Sequence, residues 1–186
     1  MNDTQLPRFQ VFLQEQEGQP HQDVGSVHAS DAEMALQNAR DVFVRRPECT
    51  SLWVVPAEAI YSRTAEELAK EGGEKKEAGG EGAENPGLSG ETEIYCVFSK
   101  AKSAGTQTLV GEVQATSPAE ALGEGIARFA GGKAPFAWWV FPARLITRSQ
   151  PQDIESMFLP ALDKPFRLST DFHTQTAMRE IRDRKP

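Results

Sequence analysis

Residues 51–60 read SLWVVPAEAI, and residues 137–146 read AWWVFPARLI. Each run is dense in aromatic and β-branched side chains, the composition of a strand. Each is closed by a proline, which lacks the N–H that a ladder needs. The runs lie 86 residues apart, and the same offset lays residues 9–63 over 95–149 without a gap. Fourteen of these 55 pairs are identical, among them Val11/Val97, Phe12/Phe98, Gly25/Gly111, Phe43/Phe129, Trp53/Trp139 and Pro56/Pro142. Ordinary residue frequencies would give about three or four. The matches are apolar or punctuating residues and the surface positions differ, as expected of a duplicated core with diverged faces.

Working outward from the quoted runs, each repeat has the same plan. Residues 8–14 (RFQVFLQ) alternate, with Phe9, Val11 and Leu13 on one side, and 94–99 (IYCVFS) carry a similar run. Second strands are expected at 22–29 and 107–115 after turn-like segments. A helix follows in each. Ser30 with Glu33 suggests a capping box ahead of the stripe Leu36, Ala39 and Phe43. Ser117, Pro118 and Glu120 give the same signal ahead of Ala121, Leu122, Ile126 and Phe129. A third strand, the quoted run, ends at Pro56 or Pro142, and a short helical turn at 57–60 or 143–146 closes the unit. Adjacent Trp138 and Trp139 must send one indole to each face of that strand.

The fold class is therefore α+β, a tandem of β-β-α-β units with antiparallel sheets. One helix on three strands buries too little to stand comfortably alone. The two units are expected to pack edge to edge or face to face as an intrachain pseudo-dimer. The expected boundaries are 1–68 for the first unit and 93–150 for the second. Residues 69–92 (AKEGGEKKEAGGEGAENPGLSGET) hold one Leu and no other large apolar side chain, so a flexible Gly/Glu-rich linker is expected there. Residues 151–186 have no repeat counterpart and read as an extended C-terminal tail. Ile154, Met157, Phe158 and Leu162 suggest one amphipathic turn, Pro160 and Pro165 favour extended chain, and the end from Arg179 to Lys185 is expected to fray.

Composition excludes several functions. Lys+Arg 20 against Asp+Glu 27 gives a net charge of −7, which counts against a nucleic-acid binder because each phosphate contact needs a cation. No apolar run is long enough to span a bilayer, and no signal peptide opens the chain, so a cytoplasmic protein is the expectation. His21, His28 and His173 are dispersed, and there is no Cys-x-x-Cys, so no metal or other cofactor is expected in this chain. Cys49 with His28 is the one pair that suggests nucleophilic catalysis or a small-molecule pocket, but Cys49 reads far more readily as a buried structural thiol. Arg40, Arg45 and Arg46 cluster toward the end of the first helix. There they either complement the helix dipole or meet an acidic surface on a protein partner. Trp53 and Trp139 read as core or interface anchors.

Residues 25–60, GSVHASDAEMALQNARDVFVRRPECTSLWVVPAEAI, resemble the PaaB subunit family of the multicomponent phenylacetyl-CoA epoxidase. The likeness rests on Gly25–Ala29, Met34–Leu36, Asn38–Asp41, Arg45–Arg46 and Trp53–Val55, and it extends over 95–149 in outline. It implies a small non-catalytic subunit. Such a subunit binds a helical catalytic subunit, which carries the di-iron centre, and that subunit's structural homologue. Family members are typically single units acting as dimers, so a fused tandem implies one chain in place of a homodimer. His28, Arg40, Asp41, Arg45, Arg46, Trp53 and Trp139 are then the expected partner-interface residues. The alternative is an independent small-molecule-binding or enzymatic module with a pocket near His28 and Cys49.

Overall fold

In the computed structural model, residues 6–44, 49–74, 92–131, 134–162 and 174–183 are described. The first repeat forms β1 (Arg8–Gln14), β2 (Gln22–His28), α1 (Ala32–Phe43), β3 (Ser51–Pro56), β4 (Tyr61–Thr64) and α2 (Ala65–Glu74). The second forms β5 (Glu93–Lys100), β6 (Thr108–Ala115), α3 (Pro118–Phe129), β7 (Ala137–Pro142) and β8 (Thr147–Arg148). Short 3-10 and π turns over Pro151–Phe158 lead into α4 (Leu159–Leu162), and α5 (Thr174–Asp183) is the last described helix.

The helix starts follow from their caps. Ser117 Oγ accepts from Glu120 N at 3.2 Å. In the first repeat the cap is Asp31, not Ser30, with Oδ1 accepting from Met34 N at 2.8 Å. Asp31 and Ser117 are 86 apart, so the caps are in register. A carboxylate serves the exposed N–H groups at least as well as a hydroxyl, and Ser30 donates to Asp31 instead.

All eight strands join one antiparallel sheet in the order β4-β7-β5-β6-β2-β1-β3-β8. The repeats meet edge to edge where Gln22 faces Thr108. Asp23 N donates to Gln107 O at 2.8 Å, and Leu109 N donates to His21 O at 2.9 Å. Each bond maps onto the other by the 86-residue offset.

Sequence reading misses β4 and β8. The 3-10 turns at Ala57–Ala59 and Ala143–Leu145 do not close their units; they lead across to the other one. Tyr61 pairs with Val140 and Ser62 with Trp139. Thr147 pairs with Val54 and Arg148 with Trp53, the same pairing displaced by 86. Both strands are short and largely polar, so no alternation announces them. β4 is the first strand of this order and β3 the seventh of eight, yet only residues 57–60 join them. Four residues span at most about 14 Å, so the sheet must curl back on itself.

Two outer cores and one inner core result. Phe9, Val11, Leu13 and Val54 pack under α1 with Leu36 and Ala39. Tyr95, Val97, Trp138 and Val140 pack under α3 with Ala121 and Leu122. The inward faces of both repeats share a third core of Phe12, Trp53, Val55, Cys96, Phe98 and Phe141. Trp138 lies in an outer core while Trp139 packs against the inner one, as strand alternation requires.

Matching bulges sit between Val11/Phe12 and between Val97/Phe98. At Gly25 φ is +132°, and an added Cβ would lie 3.0 Å from Phe43 Cζ. At Gly111 an added Cβ would overlap the Phe129 ring. The paired glycines therefore let each helix's terminal Phe close onto the bulged strand.

Each arm covers the other repeat's core. Ala65 N donates to Phe136 O at 2.9 Å, and Leu68 of α2 packs on the second outer core. Met157 and Phe158 are buried in the first outer core. Over residues 151–162 the expected tail is thus helical and docked through these two side chains, not extended. Pro160 is compatible with α4 because it occupies the first turn, where its missing N–H has no partner to lose. The end expected to fray forms α5 through Asp183. α2 also continues to Glu74, into the expected linker. Thr64 and Glu67 start it, with Thr64 N donating to Glu67 Oε2 at 2.8 Å and Glu67 N to Thr64 Oγ1 at 3.2 Å. Residues 75–91 of that linker and 163–173 of the tail lie outside the described residues.

Candidate functional site

His28 ends β2 on the exposed side of the sheet, opposite Arg8. Its Nδ1 lies 2.8 Å from Leu6 O, and its own carbonyl accepts from Asn38 Nδ2 at 3.1 Å. The outer side of α1 is thereby fixed beside the end of β2.

Arg40 is committed within the fold. Its Nε donates to Met157 O at 3.0 Å and its Nη1 pairs with Asp41 Oδ1 at 2.7 Å. A helix C-terminus favours a cation there, and the residue also pins the crossing arm. Asp41 is exposed beside it. Arg45 and Arg46, like Pro47, lie outside the described residues.

Trp53 is only 8% exposed and belongs to the inner core. His21 stacks on it, with ring centroids 3.5 Å apart and planes at 22°, and the Arg148 guanidinium lies 4.8 Å from its ring centre. His21 Nε2 is 3.0 Å from Ser51 Oγ. Burial first, and the Arg148 charge second, push the His21 imidazole down to about 4. Trp53 and the half-buried Trp139 therefore join the repeats to one another, and Trp53 is not presented to a partner as the sequence suggests. At the repeat position of His21 stands Gln107, 2% exposed, whose Oε1 has no hydrogen-bond partner.

The Cys49–His28 pair does not come together. β1 pairs with His28 at its Arg8 end and with Ser51, two residues from Cys49, at its Gln14 end. Six residues of strand separate those ends by about 20 Å. Cys49 is buried, its Sγ 3.5 Å from Ser51 O, and burial pushes its thiol up to about 12. Cys96 is likewise buried, and burial, reinforced by the Glu112 charge, pushes it to about 12. Neither thiol is poised as a nucleophile. Among the described residues no group of three or more His, Cys, Asp or Glu side chains is placed to hold a metal. Also among them, no helix is long and apolar enough to cross a membrane.

The exposed surface that distinguishes the repeats lies where the helix borders the second strand. In the second repeat Ile94, Glu112, Gln114, Glu124 and Arg128 line a shallow depression there. Their counterparts in the first repeat are Arg8, Ser26, His28, Asn38 and Val42. One turn earlier on the helix, Met34 replaces Glu120. Met34 and Val42 are 49% and 58% exposed. The sequence carries this signal in its mismatched pairs, but a mismatch shows a face only once the helix is docked.

The geometry defines a small α+β chain: a curled antiparallel sheet with a filled interior and chemically distinct outer faces. A family model described as "Phenylacetic acid degradation B" matches residues 5–77 and again residues 91–179. The chain belongs to that PaaB family. It is also similar to the B component of the 1,2-phenylacetyl-CoA epoxidase of Escherichia coli (strain K12), at 45% identity over 67 residues, covering 36% of this chain and 70% of the relative. No solved structure matches the chain.

Proposed function

We propose that this chain is a non-catalytic structural subunit that helps assemble a cytoplasmic di-iron epoxidase acting on phenylacetyl-CoA or a related aryl-CoA. Its family match over both repeats is the observation that carries the reading. In this reading the iron resides in a helical catalytic subunit. The present chain holds that subunit and its structural homologue in the larger complex.

The two repeats act as one intrachain pseudo-dimer, in place of two separate copies of a single-repeat subunit. The paired hydrogen bonds at the β2–β6 junction and the exchanged arms support this. In such an isologous arrangement residue i meets j and j's counterpart meets i's. The units divide near residues 1–68 and 93–150, with 69–92 as connector and 151–186 as a tail whose Met157 and Phe158 return to the first unit. His28 and Asp41 remain at the partner surface, with Arg45 and Arg46 beyond the end of α1.

The test is co-expression with the helical subunits encoded beside its gene, measuring complex mass and turnover with and without this chain. Assembly that depends on the chain supports the reading. Turnover by the chain alone, or full assembly and turnover without it, overturns it.

A further inference from the structure

We propose that α5 packs against the exposed side of α1 in the same chain, as an antiparallel helix pair held by Met178 and Ile181 on one side and Met34 and Val42 on the other. In the structure the two surfaces stand uncovered. Met34 and Val42 are 49% and 58% exposed, and Met178 and Ile181 are 70% and 71% exposed.

α5 is the element that needs a surface. It has ten residues, Thr174–Asp183. A helix that short is marginal in water unless an apolar face is packed. Met178 and Ile181 lie at i and i+3, so they share one face, and neither is covered.

α1 offers a surface of matching length and opposite charge. Asp31, Met34, Asn38 and Val42 lie at i, i+3, i+7 and i+11, so one stripe runs from the N-cap to the last turn. Its apolar part extends over about 12 Å. Asp31 and Glu33, both exposed, make its N-terminal end acidic, while Asp41 is already paired with Arg40 at 2.7 Å. Residues 174–186 carry Arg179, Arg182, Arg184 and Lys185 against Glu180 and Asp183, a net +2 in a chain at −7. Three of those four cations follow Ile181. Arg182 lies 3.7 Å from its neighbour Asp183, both largely exposed, a pair worth little that leaves the guanidinium available. The counterpart surface on α3 is not equivalent, because Glu120 and Arg128 stand where α1 has Met34 and Val42.

The path of the chain sets the direction. Met157 O accepts from Arg40 Nε at 3.0 Å, so the crossing arm meets the C-terminal half of α1. α4 ends at Leu162, and residues 163–173 separate it from α5. That stretch reaches up to about 36 Å, twice the length of α1. In the packed pair α5 starts near the C-terminal end of α1 and runs back along it. Arg182 and the cations after it then arrive at Asp31 and Glu33. A tether this short holds α5 at an effective concentration on the order of millimolar. That suffices for a contact of two apolar side chains on each helix, which is too small to join separate molecules.

The experiment is oxidation of the full chain by dilute hydrogen peroxide, read at Met34 and Met178 by peptide mass spectrometry. Ile181→Glu removes an anchor from α5 and is read at Met34. Val42→Arg removes one from α1, copies the residue at 128, and is read at Met178. Both positions are exposed, so circular dichroism and thermal melting are expected to show a folded body, and either variant alone decides if the other does not fold. Met34 is expected to oxidise at least fivefold faster in Ile181→Glu than in the unaltered chain, and Met178 at least fivefold faster in Val42→Arg. The protection in the unaltered chain is expected to be unchanged by dilution. Equal rates in the unaltered chain and the folded variants overturn the proposal. Protection lost on dilution makes the α5 of a second copy the occupant and also overturns it. Protection that appears only when the helical oxygenase subunits are added makes them the occupant, and overturns it while leaving the assembly role intact.

Discussion

Phe12 and Phe98 occupy the same place in the two repeats, and their rings meet in the inner core with centroids 4.5 Å apart at 41°. Phe141 lies 5.3 Å from each. None of the three side chains is exposed. This cluster is where the two halves become one folding unit, because neither repeat fills it alone.

The first prediction concerns that pair. Phe12→Ala is expected to cost about 3–5 kcal/mol, the transfer term plus a cavity that neighbours from both repeats line. Phe98→Ala should cost a similar amount. The double variant should cost less than the sum, because each truncation already removes the ring–ring contact. Urea denaturation followed by both fluorescence and circular dichroism should give one coincident transition throughout. Two separate transitions in the unaltered chain would show that the repeats fold independently.

Much of this core is legible in the sequence. Phe12, Trp53 and their partners at 98 and 139 stand out as identities at a fixed offset, and alternation assigns Trp138 and Trp139 to opposite faces. The crossing of the arms is not legible. Tyr61–Thr64 and Thr147–Arg148 are too short and polar to signal a strand, and they are ordered by the edge of the opposite repeat. Arg40 reads as a surface cation because its acceptor, the Met157 carbonyl, is 117 residues away and no local pattern reveals it. The exposed apolar pair on α1 is hidden for a different reason. Met34 and Val42 look like ordinary helix residues until α1 is seen to bury its other side.

The second prediction is a pH dependence from His21. Its folded-state value is lowered to about 4 from an ordinary 6.5. Above about 6.5 the ring is neutral in both states and contributes no slope. As pH falls from there toward 4, the unfolded chain binds a proton that the folded chain refuses, so stability falls. The loss should reach about 2 kcal/mol after solvent screening and level off below about 4. His21→Gln, which copies the residue at 107, should remove this part of the slope. Denaturant midpoints at pH 7, 5.5 and 4.5 for the two proteins check it, and equal slopes would refute the assignment.

The third prediction concerns the thiols. With Cys49 and Cys96 both buried and pushed up to about 12, neither forms an appreciable thiolate at pH 8. An aromatic disulfide reagent should label no cysteine of the folded chain within minutes and both in denaturant. Rapid labelling of Cys49 in the folded state would revive a reactive pocket at that end of β3.

The fourth prediction tests the crossing arm through Arg40. Its Nε–H bond to Met157 O is charge-assisted, and Met157 with Phe158 is buried only while the arm stays down. Arg40→Ala should lower stability by about 1.5–3 kcal/mol, the range for hydrogen bonds to charged groups. Part of that loss should appear as local opening of residues 155–160, which beyond the β8 pairing with β3 are held to the first unit through this bond and those two side chains. Hydrogen exchange at residues 155–160 should therefore accelerate more than exchange in β5, whose ladder lies in the other repeat. Phe158→Ala should accelerate the same segment while leaving the Arg40–Asp41 pair in place. If Arg40→Ala speeds exchange equally in β5 and in the arm, the arm opens only with the whole fold, and Arg40 contributes to global stability without acting as its latch.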